Sequence, residues 1–549
     1  MIRPAPCAVH ERAVWHTIFL PMMFGASAIA VLLIATAYAA ARNQAGWSTY
    51  LYWTGELLLF AAATTVVLVR RNSKTTLASA VLVFNLAQYL VKVFYSPLRL
   101  KFPDELQHEQ SASGMLGTSH LFPPNYSLPI SPLYPGLQAA AVAFRNVLGL
   151  SLHASELLVA GLAHTLLAAG ALVLFRLLIK RDYLATLGAL VYCFGSYQAF
   201  YNSMFIYQAL ALPFAVLLIV QVVAILQGEG RLGRLITAVI LSACLAITHH
   251  VTGLFASIVL VAITIGAACH PAYRSSAKWV AAAALASVVF LVAWVGLVAR
   301  ETLSYLSEPF QKFVSSFNGA GSNLAAPVTG QPLIERVFTY SSIAVPLAML
   351  TLLTVVSWRQ RQIGVTALAG SALALQLAVV GVRFVASNGQ ELAGRAQNFI
   401  ALYTAIGLAM CLGLVASRLP RNAPAVIMAI LSVLFVGGIT SGWPPGYERL
   451  PGSYRVGAFE SAVDSHAVAT GEWVRSNLSP ANRFATDFGN LAVVGTIGNQ
   501  FPLNSAYSDL FYRNSFDPRD AAVVQRDDIQ FLLVDMRLNR QYPPPDSYS

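Results

Sequence analysis

Residues 206–227 read IYQALALPFAVLLIVQVVAILQ, a run that contains no charged side chain. An α-helix rises about 1.5 Å per residue, so about 20 apolar residues cross the ~30 Å hydrocarbon core of a bilayer. The run therefore predicts a membrane-spanning helix. Runs of the same kind recur along most of the chain.

The composition agrees with this interpretation. Hydrophobic residues make up 56% of the 549 residues and charged residues only 11%, against about 25% charged in soluble domains. The formal net charge is +11, but Lys and Arg concentrate in short loops between apolar runs, where they set membrane orientation. We therefore predict membrane lipids as partners and no nucleic acid. The five Cys show no CxxC spacing, so neither a disulfide framework nor a thiolate metal site is predicted.

The apolar runs predict about thirteen transmembrane helices and hence an all-α polytopic membrane protein. Their expected positions are 16–40, 49–69, 76–97, 154–179, 183–202, 206–227, 233–248, 251–269, 278–299, 337–357, 362–384, 397–417 and 423–442. The first run ends in AYAAA, as a cleavable signal does, but its length favours a retained anchor. Either way, the next segment begins outside.

Basic residues predict the orientation. With a cytoplasmic N-terminus, every inner loop is short and basic, as in proteins of a plasma membrane. These loops and their edges contain Arg70, Arg71, Lys74, Arg176, Lys180, Arg181, Arg231, Arg234, Arg274, Lys278, Arg359, Arg361, Arg418 and Arg421. An odd number of crossings then places the C-terminus outside.

Two domains are predicted. Residues 1–443 form a transmembrane domain with long outer loops at 98–153 and 300–336, and residues 444–549 form an extracytoplasmic α/β domain. In this tail, SAVDSHAVATGEWVRSNL has the pattern of a helix, whereas NLAVVGTIG and IQFLLVDMRL have the pattern of strands.

The first outer loop carries an acidic motif, PDELQHE, at residues 103–109. Pro103 ends the preceding helix and favours a turn. Asp104 and His108 are four residues apart and share one face of any helix that follows. A carboxylate near the membrane surface lies in an environment of lower dielectric constant than water. This environment raises its pKa toward the range that is useful to a general base. A solvated acidic loop surface is the alternative for this motif alone.

Three more features fall on the same predicted side of the membrane. Prolines and then a short amphipathic helix, with an apolar stripe from Leu137 to Leu148, follow the acidic motif and suit the membrane interface. His249 and His250 lie in THHVTG at a break between two apolar runs, and histidines at such positions usually face a cavity or a partner. Arg383 and Arg395 flank a short outer loop and suit a phosphate; an ion pair with Glu391 is the alternative.

This arrangement resembles the GT-C superfamily of membrane glycosyltransferases. The segments PDELQH, SPLYPGLQ, FIYQALALP and THHVTG resemble, in the same order, stretches of a poorly characterised bacterial branch of that superfamily. The resemblance covers about residues 98–400. This chain departs from the expected pattern at Gln138 and Gln208, where the branch is expected to have Glu.

The resemblance implies a polyprenyl-phosphate-linked sugar as donor and a glycan or lipid-linked acceptor that enters from outside. It implies Asp104 as the general base, with Glu105 orienting it or binding a metal, and an inverting attack at the anomeric carbon. Arg383 and Arg395 would stabilise the leaving phosphate. The remaining substrate-binding residues implied by the motifs are His108, Tyr134, Tyr207, Gln208, His249 and His250.

Several alternatives stay open at this level. Asp104, Glu105 and His108 are a possible divalent-metal set, but no cofactor is required by the sequence. A lipid-linked glycan polymerase or ligase would use the same chemistry. A transporter or flippase, or a non-catalytic scaffold of polysaccharide export, would use the same polar residues differently. No phosphate-binding loop motif is present, which argues against nucleotide hydrolysis.

Overall fold

The structure is a computed structural model. It describes residues 7–69, 72–305, 307, 332–385, 389–442, 444, 446, 449–452, 463–503, 507, 510–511 and 515–539. Within them, twelve helices are long and apolar enough to cross a membrane, so the chain is a multi-pass membrane protein. The predicted all-α membrane architecture with a small C-terminal α/β part is confirmed.

The helices follow the apolar runs. Those that could span a membrane are α1 (Cys7–Arg42), α2 (Ser48–Leu68), α3 (Lys74–Tyr95), α6 (Leu152–Ile179), α8 (Tyr207–Leu226), α9 (Arg231–Thr248), α10 (His250–Cys269), α11 (Arg274–Leu297), α12 (Leu333–Arg359), α13 (Ile363–Val385), α14 (Gly389–Arg418) and α15 (Ala423–Ser441). Two further helices, α4 (Pro103–Thr118) and α5 (Gly136–Leu148), lie in the first long loop and confirm the short helix expected there.

The crossing predicted at 183–202 differs from the others. Only α7 (Asp182–Cys193) is helical there, and its twelve residues measure about 18 Å, too short to cross the hydrocarbon core. The segment nevertheless runs from one face to the other. Asp182 pairs with Lys74 at the start of α3, whereas the Phe205 N–H donates to Glu105, beyond the end of α3. A non-helical stretch before Tyr207 therefore completes the crossing.

Polar side chains from neighbouring helices surround this non-helical stretch. Gln198 Nε2 lies 3.5 Å from Asn85 Oδ1, halfway along α3, and His164 Nδ1 lies 3.3 Å from the Asn202 carbonyl oxygen. Gly438 of α15 and Gly442, just after the end of α15, lie against the carbonyl oxygens of residues 194 and 196. Non-helical backbone at membrane depth survives only where protein groups surround it, and these contacts meet that condition.

The C-terminal part contains α16 (Ser465–Asn477), β1 (Arg483–Thr486), α17 (Phe488–Ala492), β2 (Phe501–Pro502), α18 (Pro518–Arg526) and β3 (Phe531–Leu533). The strands are parallel, in the order β2-β1-β3. The strand expected for NLAVVGTIG is wrong. That segment is helical because Asp487 accepts hydrogen bonds from the N–H groups of Gly489 and Asn490, which caps a helix at its start.

This α/β part packs against the first long loop of the membrane part. Arg99 pairs with Glu472 at 3.1 Å, and Gln110 Nε2 lies 3.4 Å from Asn499 Oδ1. Gly495 lies so close to Ser127 that a side chain there would overlap the serine hydroxyl. The C-terminal part therefore covers α4, although the exact domain boundary at residue 443 stays a prediction.

Candidate active site

The acidic pair of the first loop is divided by the helix that carries it. Pro103 is the first residue of α4, where its missing N–H costs no hydrogen bond. Asp104 and Glu105 follow in the first turn, where the helix dipole favours negative charge. Adjacent helical residues point in different directions, so Asp104 is exposed and Glu105 is buried. Of these two carboxylates, only that of Asp104 lies at the protein surface.

Glu105 lies in a buried ion pair. Its Oε1 contacts the Lys92 ammonium group, and both side chains are at most 1% exposed. The same oxygen accepts a hydrogen bond from the Phe205 N–H at 2.9 Å. Glu105 therefore joins α3, α4 and the residues just before α8. The expectation that it orients Asp104 stays a prediction, since its described partners are Lys92 and Phe205.

His108 lies in a network of neutral side chains. Its Nδ1 is 3.1 Å from both Ser131 Oγ and Gln138 Nε2. Ser111 Oγ lies 3.1 Å from Ser131 Oγ, and Asn125 donates to Ser111 at 2.7 Å. Burial lowers the pKa of His108 to about 3, because desolvation disfavours the charged imidazolium. His108 is thus neutral and offers no positive charge to a phosphate.

Five of the predicted site residues form one group of rings, which we call the aromatic–imidazole cluster: His108, Tyr134, Tyr207, His249 and His250. The Tyr207 ring lies 4.4 Å from His108, edge to face, and stacks on His249 at 4.4 Å. His250 lies 5.1 Å from His249 and 4.8 Å from Tyr134. Three distant segments of the chain therefore meet at one point.

Local sequence explains how these segments approach. His249 has an extended backbone (φ −159°, ψ 117°) between the end of α9 and the start of α10, which turns the histidine pair toward α8. Gly136, at the start of α5, packs on this break. A Cβ at Gly136 would lie 3.2 Å from Thr248 Cα and closer still to the threonine hydroxyl. The glycine of YPGLQ is therefore required for the close approach of α5 and α9.

Hydroxyl contacts extend the cluster toward the second long loop. The Tyr134 hydroxyl lies 2.8 Å from Thr302 Oγ1, and burial raises the pKa of Tyr134 to about 12. The Tyr305 ring lies 6.2 Å from His250. Thr302 and Tyr305, at the start of the loop at 300–336, thus border the site. The sequence analysis predicted this loop but did not name either residue.

The other predicted residues are less closely associated. Gln208 is buried, and its Nε2 has no hydrogen-bond partner among the described residues. Arg383 and Arg395 lie on α13 and α14, but their side chains, like that of Glu391, lie outside the described residues. The proposed metal set is not assembled: in the described part of the chain, no group of three His, Cys, Asp or Glu side chains could hold a metal ion.

Two functional features were missed at the level of sequence. Lys92 lies in an apolar run, where a charged residue is rare and usually paired. Its presence there could therefore have predicted a buried acidic partner, which the structure shows to be Glu105. Glu109, one turn after Glu105, has its pKa raised to about 7, chiefly by burial and further by the Glu105 charge, against the opposing effect of Arg99. Only packing against the rest of the protein produces that burial.

No protein-family model matches the chain, and no curated protein matches it in sequence. In structure it is similar to the Archaeoglobus fulgidus oligosaccharyltransferase in complex with zinc and sulfate (TM-score 0.49, 11% identity), over 83% of this chain and 68% of that chain. It is also similar to ArnT from Cupriavidus metallidurans bound to undecaprenyl phosphate (TM-score 0.42, 12% identity), over 87% of this chain and 90% of that chain. At these values the likeness assigns neither an activity nor the role of any residue.

Proposed function

We propose that this protein is a membrane glycosyltransferase that moves a sugar from a polyprenyl-phosphate donor to an acceptor hydroxyl of a cell-envelope or secreted glycan. The observation that carries the proposal is the position of exposed Asp104 one turn from His108, whose ring belongs to the aromatic–imidazole cluster. An accessible carboxylate close to neutral His108 and the aromatic–imidazole cluster suits an acid–base reaction on an uncharged polyol.

The reaction assigns one role to each part of this site. Asp104 accepts the proton of the acceptor hydroxyl as that oxygen forms a bond to the anomeric carbon of the donor. The bond from the anomeric carbon to the phosphate oxygen breaks, and polyprenyl phosphate leaves with the electron pair. A single base on the acceptor side corresponds to inversion at that carbon. The aromatic–imidazole cluster holds the sugar by ring contacts and neutral hydrogen bonds.

The leaving phosphate needs positive charge as the bond breaks. His108 is neutral, and Lys92 is already paired with Glu105, so neither of them supplies it. We assign this role to Arg383 and Arg395, as the sequence resemblance implies. By the positive-inside rule, the basic loops lie in the cytoplasm. The site then lies at the extracytoplasmic face of a bacterial plasma membrane. A lipid-linked donor is the available sugar source at that face.

The test is a transfer assay. Purified protein is incubated with labelled polyprenyl-phosphate sugars, lipid-linked oligosaccharides and envelope glycans, and both transfer and cleavage of the lipid–sugar bond are measured. Asp104→Asn should lower the rate by a factor of at least about 10² to 10⁴, the usual contribution of a general base. Glu229→Gln is the matched control, because Glu229 is an exposed acid paired with Arg234 in an inner loop. Equal rates for Asp104→Asn and the control would refute the role of Asp104.

A second candidate is a transporter of lipid-linked sugars. The observation that favours it is the non-helical stretch between α7 and α8, which contacts the middle of α3 and α6. Transporters often build substrate sites from interrupted helices at mid-membrane depth. Movement of the labelled lipid across vesicles without cleavage of the lipid–sugar bond would favour this candidate. Use of oligosaccharide donors in the first assay would instead identify a polymerase or ligase.

A further inference from the structure

Gln138 is the side chain that decides the state of His108. It is fully buried, and its Nε2 lies 3.1 Å from His108 Nδ1 and 3.0 Å from Ser131 Oγ. An amide nitrogen can only donate, so His108 Nδ1 must accept. A neutral imidazole that accepts at Nδ1 carries its proton at Nε2.

The opposite orientation of the amide is less favourable. In the present orientation Gln138 leaves only a carbonyl oxygen without a partner among the described residues. Exchanging the two atoms would leave an NH₂ group with two donors in that same buried position. Buried donors without partners are rarer and more costly than carbonyl oxygens with a free lone pair. The geometry therefore selects Gln138 as the donor.

Among the described residues, the hydrogen-bond partners of His108 are uncharged, and the neighbouring acid Glu109 has its pKa raised to about 7. On α4 itself, Asp104 is exposed and Glu105 is paired with Lys92. The loop before α5 contributes Ser131, and α5 contributes Gln138. Beyond them, the Tyr207 ring contacts His108 and stacks on His249. A carboxylate at position 138, by contrast, would favour the imidazolium.

We propose that Gln138 is a positioning residue that holds His108 as a neutral imidazole with its proton on Nε2, so that His108 acts at the site as a hydrogen-bond donor and not as the base. The choice of Asp104 over His108 as base rests on the proposed function. The protonation state itself does not, because it can be measured without any substrate.

The experiment is nitrogen NMR of protein labelled with ¹⁵N-histidine, in lipid bilayers, between about pH 5 and about pH 8. The loss of one signal pair in His108→Gln identifies the residue. We expect one protonated nitrogen, Nε2, and one unprotonated nitrogen, Nδ1, throughout this range. A proton on Nδ1, or titration of His108 within the range, would overturn the proposal.

Gln138→Glu tests the cause. It should place the His108 proton on Nδ1 within the measured pH range, because a carboxylate at position 138 accepts a hydrogen bond where the amide nitrogen donates one. Gln110→Glu is the matched control: Gln110 is also a buried glutamine but lies on α4 and contacts Asn499, so His108 should keep its tautomer. An unchanged His108 in a folded Gln138→Glu variant would exclude Gln138 as the cause. If that variant does not fold, the native spectrum still decides the protonation state, and a failed transfer assay would leave this result intact.

Discussion

The Lys92–Glu105 pair should be a major determinant of stability at the candidate site. Lys92→Met removes the ammonium group and leaves a carboxylate that is 0% exposed, with the Phe205 N–H as its remaining described donor. Removing one partner of a buried ion pair costs about 3–5 kcal/mol, because the remaining charge stays desolvated. The double variant Lys92→Met/Glu105→Gln should recover at least about 2 kcal/mol, since its amide oxygen still accepts from Phe205 and no charge is left buried.

The same helix offers a matched control. Lys74, at the other end of α3, pairs with Asp182 at 3.2 Å, but its side chain is 79% exposed. Exposed ion pairs contribute about 0–1 kcal/mol, so Lys74→Met should change little. The assay is reversible unfolding in mixed micelles. It compares the native protein with Lys92→Met, Glu105→Gln and the double variant as one double-mutant cycle, and with Lys74→Met as the control. If the free energies of unfolding of Lys92→Met and Lys74→Met differ by less than about 1 kcal/mol, the Lys92–Glu105 pair does not anchor α4.

Two further predictions concern neighbouring positions. Gly136→Ala should separate α5 from α9, because the added Cβ meets the Thr248 backbone; activity and thermal stability should fall, whereas Gly117→Ala, with nothing within 4 Å of its Cβ, should behave as the native protein in both measurements. Glu109 has its pKa raised to about 7, above that of the unfolded chain, so the folded state holds the proton more tightly and stability falls as the pH rises from about 5 to about 8. Relative to Glu109→Gln, the native protein should lose about 1–3 kcal/mol across this interval in the same unfolding assay; parallel pH profiles for the two proteins would contradict the raised pKa of Glu109.

The acidic motif shows how far a local pattern reaches. The sequence predicted that Pro103 ends the preceding helix, but that helix ends at Tyr95 and Pro103 begins α4. The prediction that Asp104 and His108 share one face of a following helix is confirmed by their spacing in α4. The sequence did not show that Asp104 is exposed and Glu105 is buried, because the burial of Glu105 depends on Lys92 and Phe205, which are distant in the chain. Gln138 was noted as a departure from a motif, but its contact with His108 was not visible in the spacing of either residue.

The sequence by itself determined the membrane-spanning class and the positions of nearly all spans, and it predicted the side of the membrane on which the polar motifs fall. These properties follow from hydropathy and loop charge, which act on each segment locally. Only the tertiary structure decided that the seventh helix stops after Cys193, that NLAVVGTIG is helical and that Tyr207 lies between His108 and His249. Ring contacts, desolvation and buried hydrogen bonds join residues that are far apart in the chain, so no single stretch of sequence contains them.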